Sequence, residues 1–188
     1  MIKIKGTAVS DMIKAVKAQY GDQTYNTIVD LLKGETRALF ERPFILPSSW
    51  YSLDAFVQFL EMYLEVTAQG NEQELIKRSE VLIKRQLTGI YKWFVKLGSP
   101  EFVLNRISIV HRTYFQGVDV KVSLPSPGKA IVKYTGFAKQ HRLIGLIIIG
   151  FYRKALEISG AKEVKAEYTS SIEDDKGYCD LILSWRGK

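Results

Sequence analysis

Leu97–Gly117, LGSPEFVLNRISIVHRTYFQG, is the stretch on which the fold turns. Ser99 can accept hydrogen bonds from the first free amides of a helix, Pro100 suits the first helical position, and Glu101 sets negative charge at the positive end of the dipole. Behind this start, Val103, Ile107, Val110, His111 and Tyr114 recur at spacings of three and four. One helical face is therefore apolar and carries a histidine. Gly117 is the residue type that ends a helix in the left-handed region, and an alternating strand pattern follows it. The chain changes here from a helical part, residues 1–117, to a mixed part, residues 118–188.

On the N-terminal side, Ile2–Lys5 alternates as a short strand that ends at Gly6. A helix from Ser10 or Asp11 to Tyr20 is stopped by Gly21, and a second, capped by Asp22, runs to Gly34. Two prolines make 39–47 a connector with one helical turn. Trp50 and Tyr51 anchor the start of a helix striped by Leu53, Phe56, Val57, Leu60, Tyr63 and Leu64. Asn71 caps a long helix to about Lys96, with Leu75, Val81, Leu82, Leu87, Ile90, Tyr91 and Phe94 on its apolar side and a break at Gly89.

On the C-terminal side, Val118–Leu124 and Ala130–Thr135 flank Pro125-Ser126-Pro127-Gly128 and form a hairpin. His141–Ser159 is a helix that is apolar on most sides. Glu163–Tyr168 and Tyr178–Trp185 form a second strand pair around a polar loop, Ser170–Gly177. Helices followed by β-β-α-β-β predict an α+β fold, an antiparallel sheet packed on helices.

A chain of 188 residues suits one domain, which buries roughly 70% of the unfolded surface. The single Cys179 excludes an internal disulfide and a cysteine zinc site, and fits a reducing, cytoplasmic setting. No secretory signal opens the chain, and the apolar run Leu143–Tyr152 is about half the roughly 20 residues a bilayer crossing needs. A membrane span is not expected.

The formal charge of +7 is uneven: residues 1–70 carry 7 basic and 8 acidic side chains, residues 71–117 carry 8 and 4, and residues 118–188 carry 12 and 8. The basic positions are scattered, which suits solubility better than a nucleic-acid site. A basic adaptor for nucleic acid or an anionic surface is the minor alternative, and its affinity would fall steeply with salt. Phosphate-binding glycine motifs, H-E-x-x-H and G-x-S-x-G are all absent. Neither an enzyme nor a metal centre is indicated, and Glu173, Asp174 and Asp175 read as a solvated turn.

KGTAVSDMI, LPSSWYSLD, LTGIYKWFVKLGSPEFVLNR, RTYF, YTGF and CDLILSW together resemble a paralogous family abundant in myxobacteria, of uncharacterised function. The second half also resembles a wider superfamily of haem-based nitric oxide/oxygen sensing domains, 4-vinyl reductase domains and TRAPP-type tethering subunits. That resemblance implies a sensory or regulatory role, an apolar small molecule or a protein partner as ligand, and a capacity to pair as homodimers.

In the haem domains a segment similar to SPEFVLNRISIVH ends in the iron-ligating histidine, and His111 falls at that place. The tyrosine-x-serine-x-arginine motif that binds the haem propionates corresponds to Tyr134-Thr135-Gly136-Phe137-Ala138, which keeps only the tyrosine. Lys139 or Arg142 would have to stand in for the arginine. Cys179 aligns with the last zinc-holding cysteine of the 4-vinyl reductase domains, but its partner position is taken by Thr169-Ser170-Ser171, so zinc is not expected.

The reading is therefore a non-catalytic sensory domain, with a haem gas sensor ligated by His111 as the alternative. Its pocket is expected between the 100–117 helix, the 141–159 helix and the sheet, faced by Val103, Ile107, His111 and Tyr114, with Tyr134 opposite and Gly145 and Gly150 permitting close approach. The same residues equally suit a filled core.

Overall fold

The computed structural model describes residues 1–88 and 99–187, the side chains of 85–88, 107 and 108 excepted. Its elements are β1 (Lys3–Lys5), α1 (Gly6–Leu31), α2 (Gly34–Phe40), β2 (Trp50–Ser52), α3 (Leu53–Ala68), α4 (Gln73–Thr88), α5 (Pro100–Tyr114), β3 (Phe115–Gln116), β4 (Asp119–Ser126), β5 (Lys129–Thr135), α6 (Arg142–Ile158), β6 (Lys162–Ser170) and β7 (Tyr178–Arg186). The α+β class is as the sequence predicts. The continuation of α4 to Lys96 and its break at Gly89 lie outside the described residues.

The start of α5 follows from its sequence. Ser99 Oγ accepts the Phe102 amide hydrogen at 3.3 Å, Pro100 opens the helix and Glu101 lies in its first turn. Its end differs from expectation. The helix stops at Tyr114, and Phe115 is already extended because Phe115 and Gln116 pair with Ile4 and Lys3. Gly117, at φ 84°, turns the chain between β3 and β4 rather than capping the helix.

That pairing belongs to a small antiparallel sheet, β2-β1-β3, in which Lys3 and Ile4 also pair with Ser52 and Tyr51. Trp50 and Tyr51 are thus strand residues, and Ser52 caps α3 by accepting the Ala55 amide hydrogen at 3.3 Å. The first helix begins at Gly6, earlier than expected, because its amide donates to Ser49 O at 2.8 Å and a Cβ there would lie 2.0 Å from Leu46 O. It is broken at Gly21 as predicted, by a non-helical φ of 84°. Gly34 begins α2 rather than ending the helix before it.

The larger sheet has the order β4-β5-β7-β6, all antiparallel. Alternation sends Ala130, Val132 and Tyr134 of β5 and Cys179, Leu181, Leu183 and Trp185 of β7 inward, with Val132 opposite Leu181 and Tyr134 opposite Cys179. Helix α6 covers this face. Tyr168 Oη of β6 donates to Gly145 O at 3.2 Å. On its other side α6 meets α4, where a Cβ on Gly150 would stand 1.8 Å from Ser79 Oγ and 2.6 Å from Ile76 O. Buried on both sides, α6 is apolar around most of its circumference.

The α4 stripe shifts accordingly: Leu75, Ile76 and Ser79 are buried, whereas Val81, expected inside, is exposed. His141 and Arg142 fasten the start of α6 to the helical part. His141 Nδ1 accepts the Ala138 amide hydrogen at 3.0 Å, so Nε2–H donates to Asp54 at 2.9 Å, and Arg142 pairs with Glu72. In the 170–177 loop Asp174 accepts from the Ser171 amide and the Ser170 hydroxyl, which closes a turn.

Gly150→Ala is expected to destabilise the protein by about 1–3 kcal/mol through overpacking. A fall in the urea midpoint measures this; an unchanged midpoint would mean that α4 and α6 do not touch at this point.

Candidate functional site

Helix α5 lies where the sheet and the helical part meet, and its spacing turns His111 inward. His111 is buried and surrounded by rings: Tyr134 at 5.1 Å and Phe151 at 5.6 Å meet it edge-on, while Phe115 and Tyr152 stack at 6.0 Å. Its Nε2 is 2.9 Å from Tyr134 Oη, and Tyr134 Oη donates to Tyr152 Oη at 2.9 Å. With the Tyr134 proton directed to Tyr152, the Nε2–H tautomer of a neutral imidazole donates to Tyr134. Three polar atoms from α5, β5 and α6 thus satisfy one another in the core.

Burial sets their charge states. It pushes the His111 imidazole down to about 3 and raises both phenols, Tyr134 through burial first and then its tyrosine and cysteine neighbours. The Cys179 thiol is pushed up to about 12, chiefly by burial. At neutral pH the cluster is uncharged, which suits binding and orientation rather than acid–base work. Among the described residues no group of three or more His, Cys, Asp or Glu side chains converges as a metal site would.

A cavity of about 240 Å³ adjoins His111. It lies among helices rather than against the sheet: α1 gives Ala8 and Met12, α4 gives Leu75, Ser79 and Leu82, α5 gives Val103, Val110 and Tyr114, and α6 gives Ile144, Ile148 and Phe151. Of the residues predicted to face a pocket, Val103, His111 and Tyr114 line it, and the Ile107 side chain lies outside the described residues. Tyr134, Gly145 and Gly150 stand elsewhere. Tyr134 is fully buried behind His111, Gly145 meets Tyr168 and Ile172, and Gly150 meets α4. The inner face of the sheet is filled by α6 and three tyrosines, and this cavity lies on the helical side.

The segment 134–142 holds no cation against this cavity. Gly136 has φ 110° and a Cβ there would lie 2.3 Å from Gly117 O, the Ala138 amide serves His141, Lys139 is exposed and Arg142 is held by Glu72. Two cations do line the cavity, Arg78 of α4 and Arg106 of α5, whose guanidinium lies 3.6 Å from the Phe102 ring centroid. Sequence reading missed Arg78, Tyr152, Phe115 and Phe151. A tyrosine closing the run Leu143–Tyr152, and Arg78-Ser79 on the same helical side as Leu75 and Leu82, were the available signals.

Solved structures share this fold. An H-NOX protein from S. oneidensis in the Fe(II)NO ligation state matches with a TM-score of 0.71 at 13% identity, over 98% of this chain and 100% of that one. The Fe(II) unliganded H-NOX protein from K. algicida gives 0.70 and 11% over 98% of each chain, and a point mutant of T. Tengcongensis H-NOX gives 0.70 and 13% over 98% of each. The fold is that of the H-NOX proteins. No family model and no curated protein matches the sequence, so the myxobacterial paralogous family rests on the quoted motifs alone. Within the H-NOX fold, the cavity lies between the helical part and α5, and His111 stands at its wall. None of the helices described here is long and apolar enough to cross a membrane.

Tyr134→Phe leaves two buried groups, His111 Nε2–H and Tyr152 Oη, short of a partner, and is expected to cost about 1–3 kcal/mol for each in denaturant unfolding. A second outcome concerns pH. The unfolded imidazole titrates near 6.5 and the folded one near 3, so the unfolded chain binds the proton first. The contribution of His111 to stability is complete above about pH 6.5 and declines as pH falls toward 3. Unfolding midpoints of wild type and His111→Gln between pH 7.5 and 4 are expected to converge on acidification; parallel curves would mean that His111 does not titrate in this way.

Proposed function

We propose that this chain is a non-catalytic sensory domain that binds an apolar small molecule in the cavity beside His111 and signals its occupancy to a partner protein or a second copy. The observation that carries the reading is the cavity itself: about 240 Å³, walled mainly by aliphatic and aromatic side chains, with one neutral imidazole at its edge. Apolar burial at roughly 25 cal/mol per Å² supplies affinity, and the imidazole and its ring cage supply orientation. An uncharged cluster at neutral pH agrees with binding rather than turnover.

The fold neighbours support a second reading, a haem gas sensor, since the H-NOX structures concern haem and Fe(II) states; on this reading His111 would be the iron ligand. The side chains here do not fit that group as they stand. His111 Nε2 faces Tyr134 Oη at 2.9 Å instead of the cavity, and 240 Å³ is below the roughly 300–1,000 Å³ of pockets for drug-sized ligands. Gly136 and Ala138 bring no side-chain donor, and neither Lys139 nor Arg142 reaches the cavity. The cations that do line the cavity, Arg78 and Arg106, come from α4 and α5 and not from the segment that carries the propionate motif. Haem binding requires His111 to exchange its phenol for iron and the walls to part.

Absorption spectra and native mass spectrometry of protein from a haem-supplemented host separate the readings. The expected result is no Soret band and a released apolar compound. Stoichiometric haem, lost in His111→Ala, would overturn the first reading in favour of the second.

A further inference from the structure

Beside the cavity runs a groove of about 530 Å³ between α1, α3 and α4, and the two spaces share Met12, Arg78 and Leu82. Two donors are stranded in the wall of this groove. Tyr63 Oη, on a residue 1% exposed, and Arg78 Nε are both buried, and neither is paired in hydrogen-bond geometry among the described residues; the Thr67 hydroxyl, close enough to Tyr63 to lower its phenol slightly, spends its own proton on the Tyr63 carbonyl at 2.7 Å. Buried donors without acceptors forfeit free energy and require an explanation. The Arg78 guanidinium is fixed between rings, 4.8 Å from the centroid of Tyr20 and 5.4 Å from that of Tyr63, while its Nη1 donates to Gln19. A rigid, partly desolvated cation with its Nε–H free stands where an apolar cavity meets a groove.

We infer that the ligand of this domain is an amphiphilic monocarboxylate of the fatty-acid type, its chain in the cavity beside His111 and its carboxylate received by Arg78 and Tyr63. The inference rests on the proposed apolar-ligand function and adds the head group to it. A carboxylate supplies two acceptor oxygens, the complement of one guanidinium Nε–H and one phenol O–H. Burial keeps Tyr63 a donor, raising its phenol to about 12. Charge favours a monoanion over a phosphate. Glu74 also lines the groove; Lys77 pairs with it at 2.8 Å, so Arg78 is the cation left for the ligand there. Arg153, the other arginine with a buried unpartnered Nε, borders neither space and faces Glu80 at 4.0 Å.

The test is calorimetric titration of the full chain with decanoate and with decanol. Wild type is expected to bind the acid about tenfold more tightly than the alcohol, as a charge-assisted hydrogen bond warrants. Arg78→Gln is expected to bring the two within about twofold of each other, by loss of that bond. Tyr63→Phe is expected to weaken decanoate about fivefold while leaving the melting temperature of the unliganded protein undiminished, because its hydroxyl has no partner to lose. Equal affinity for acid and alcohol in wild type, or an acid preference that survives Arg78→Gln, would overturn the head-group inference and leave the apolar-ligand function standing. Binding of neither compound would overturn both.

Discussion

Helix α6 is the constraint on which the remaining elements depend. Among the described residues it packs against the large sheet on one side and against α4 on the other, and glycine is needed where it meets α4. At Gly150 the distance to Ser79 leaves no room for a methyl group, and at Gly145 the carbonyl accepts from Tyr168. Covering the sheet this closely consumes the inner face of β5 and β7. The cavity found among the described residues lies on the helical side, lined by α5, α1 and α4.

The same packing determines the character of His111. An imidazole enclosed by Phe115, Phe151, Tyr134 and Tyr152 gains no counter-ion, so burial alone governs it and keeps it neutral. Its proton is shared with a phenol. In the H-NOX fold this places a polar but uncharged post between a filled sheet face and an apolar cavity. Away from His111, Arg78 borders both this cavity and the adjoining groove, where Tyr63 lies beside it, and each leaves a buried donor unused.

Much of this architecture was legible in the residues. Ser99, Pro100 and Glu101 mark the start of α5 because helix ends need capping groups at fixed positions, and the Pro/Gly turn at 125–128 joins two strands whose alternation carries over into burial. Of the three-stranded sheet only the central strand was legible, in the alternation of Ile2–Lys5; β2 and β3, of three and two residues, are too short for alternation to register, and the pairing partners lie far off in sequence. The position of the cavity was not legible either. Periodicity tells which side of α5 turns inward but not whether the sheet or the helices remain unfilled, which is decided by the volumes of Tyr134, Tyr152 and Tyr168. Arg78 was hidden for a related reason, since an arginine on a helix that packs beside two tyrosine rings looks in sequence like any exposed cation.

The small sheet also bears on how the chain comes together during synthesis. Its central strand, Lys3–Lys5, is synthesised before the other described elements, yet the partner that closes one side, Phe115–Gln116, follows more than a hundred residues later. Such a long loop must be closed before the pairing yields any stabilisation. Because β3 continues directly from α5, the event that seats the earliest strand also draws His111 against its tyrosines. The nascent helical part therefore waits with an open sheet edge, and the cavity beside His111 is complete only once the two ends of that loop have met.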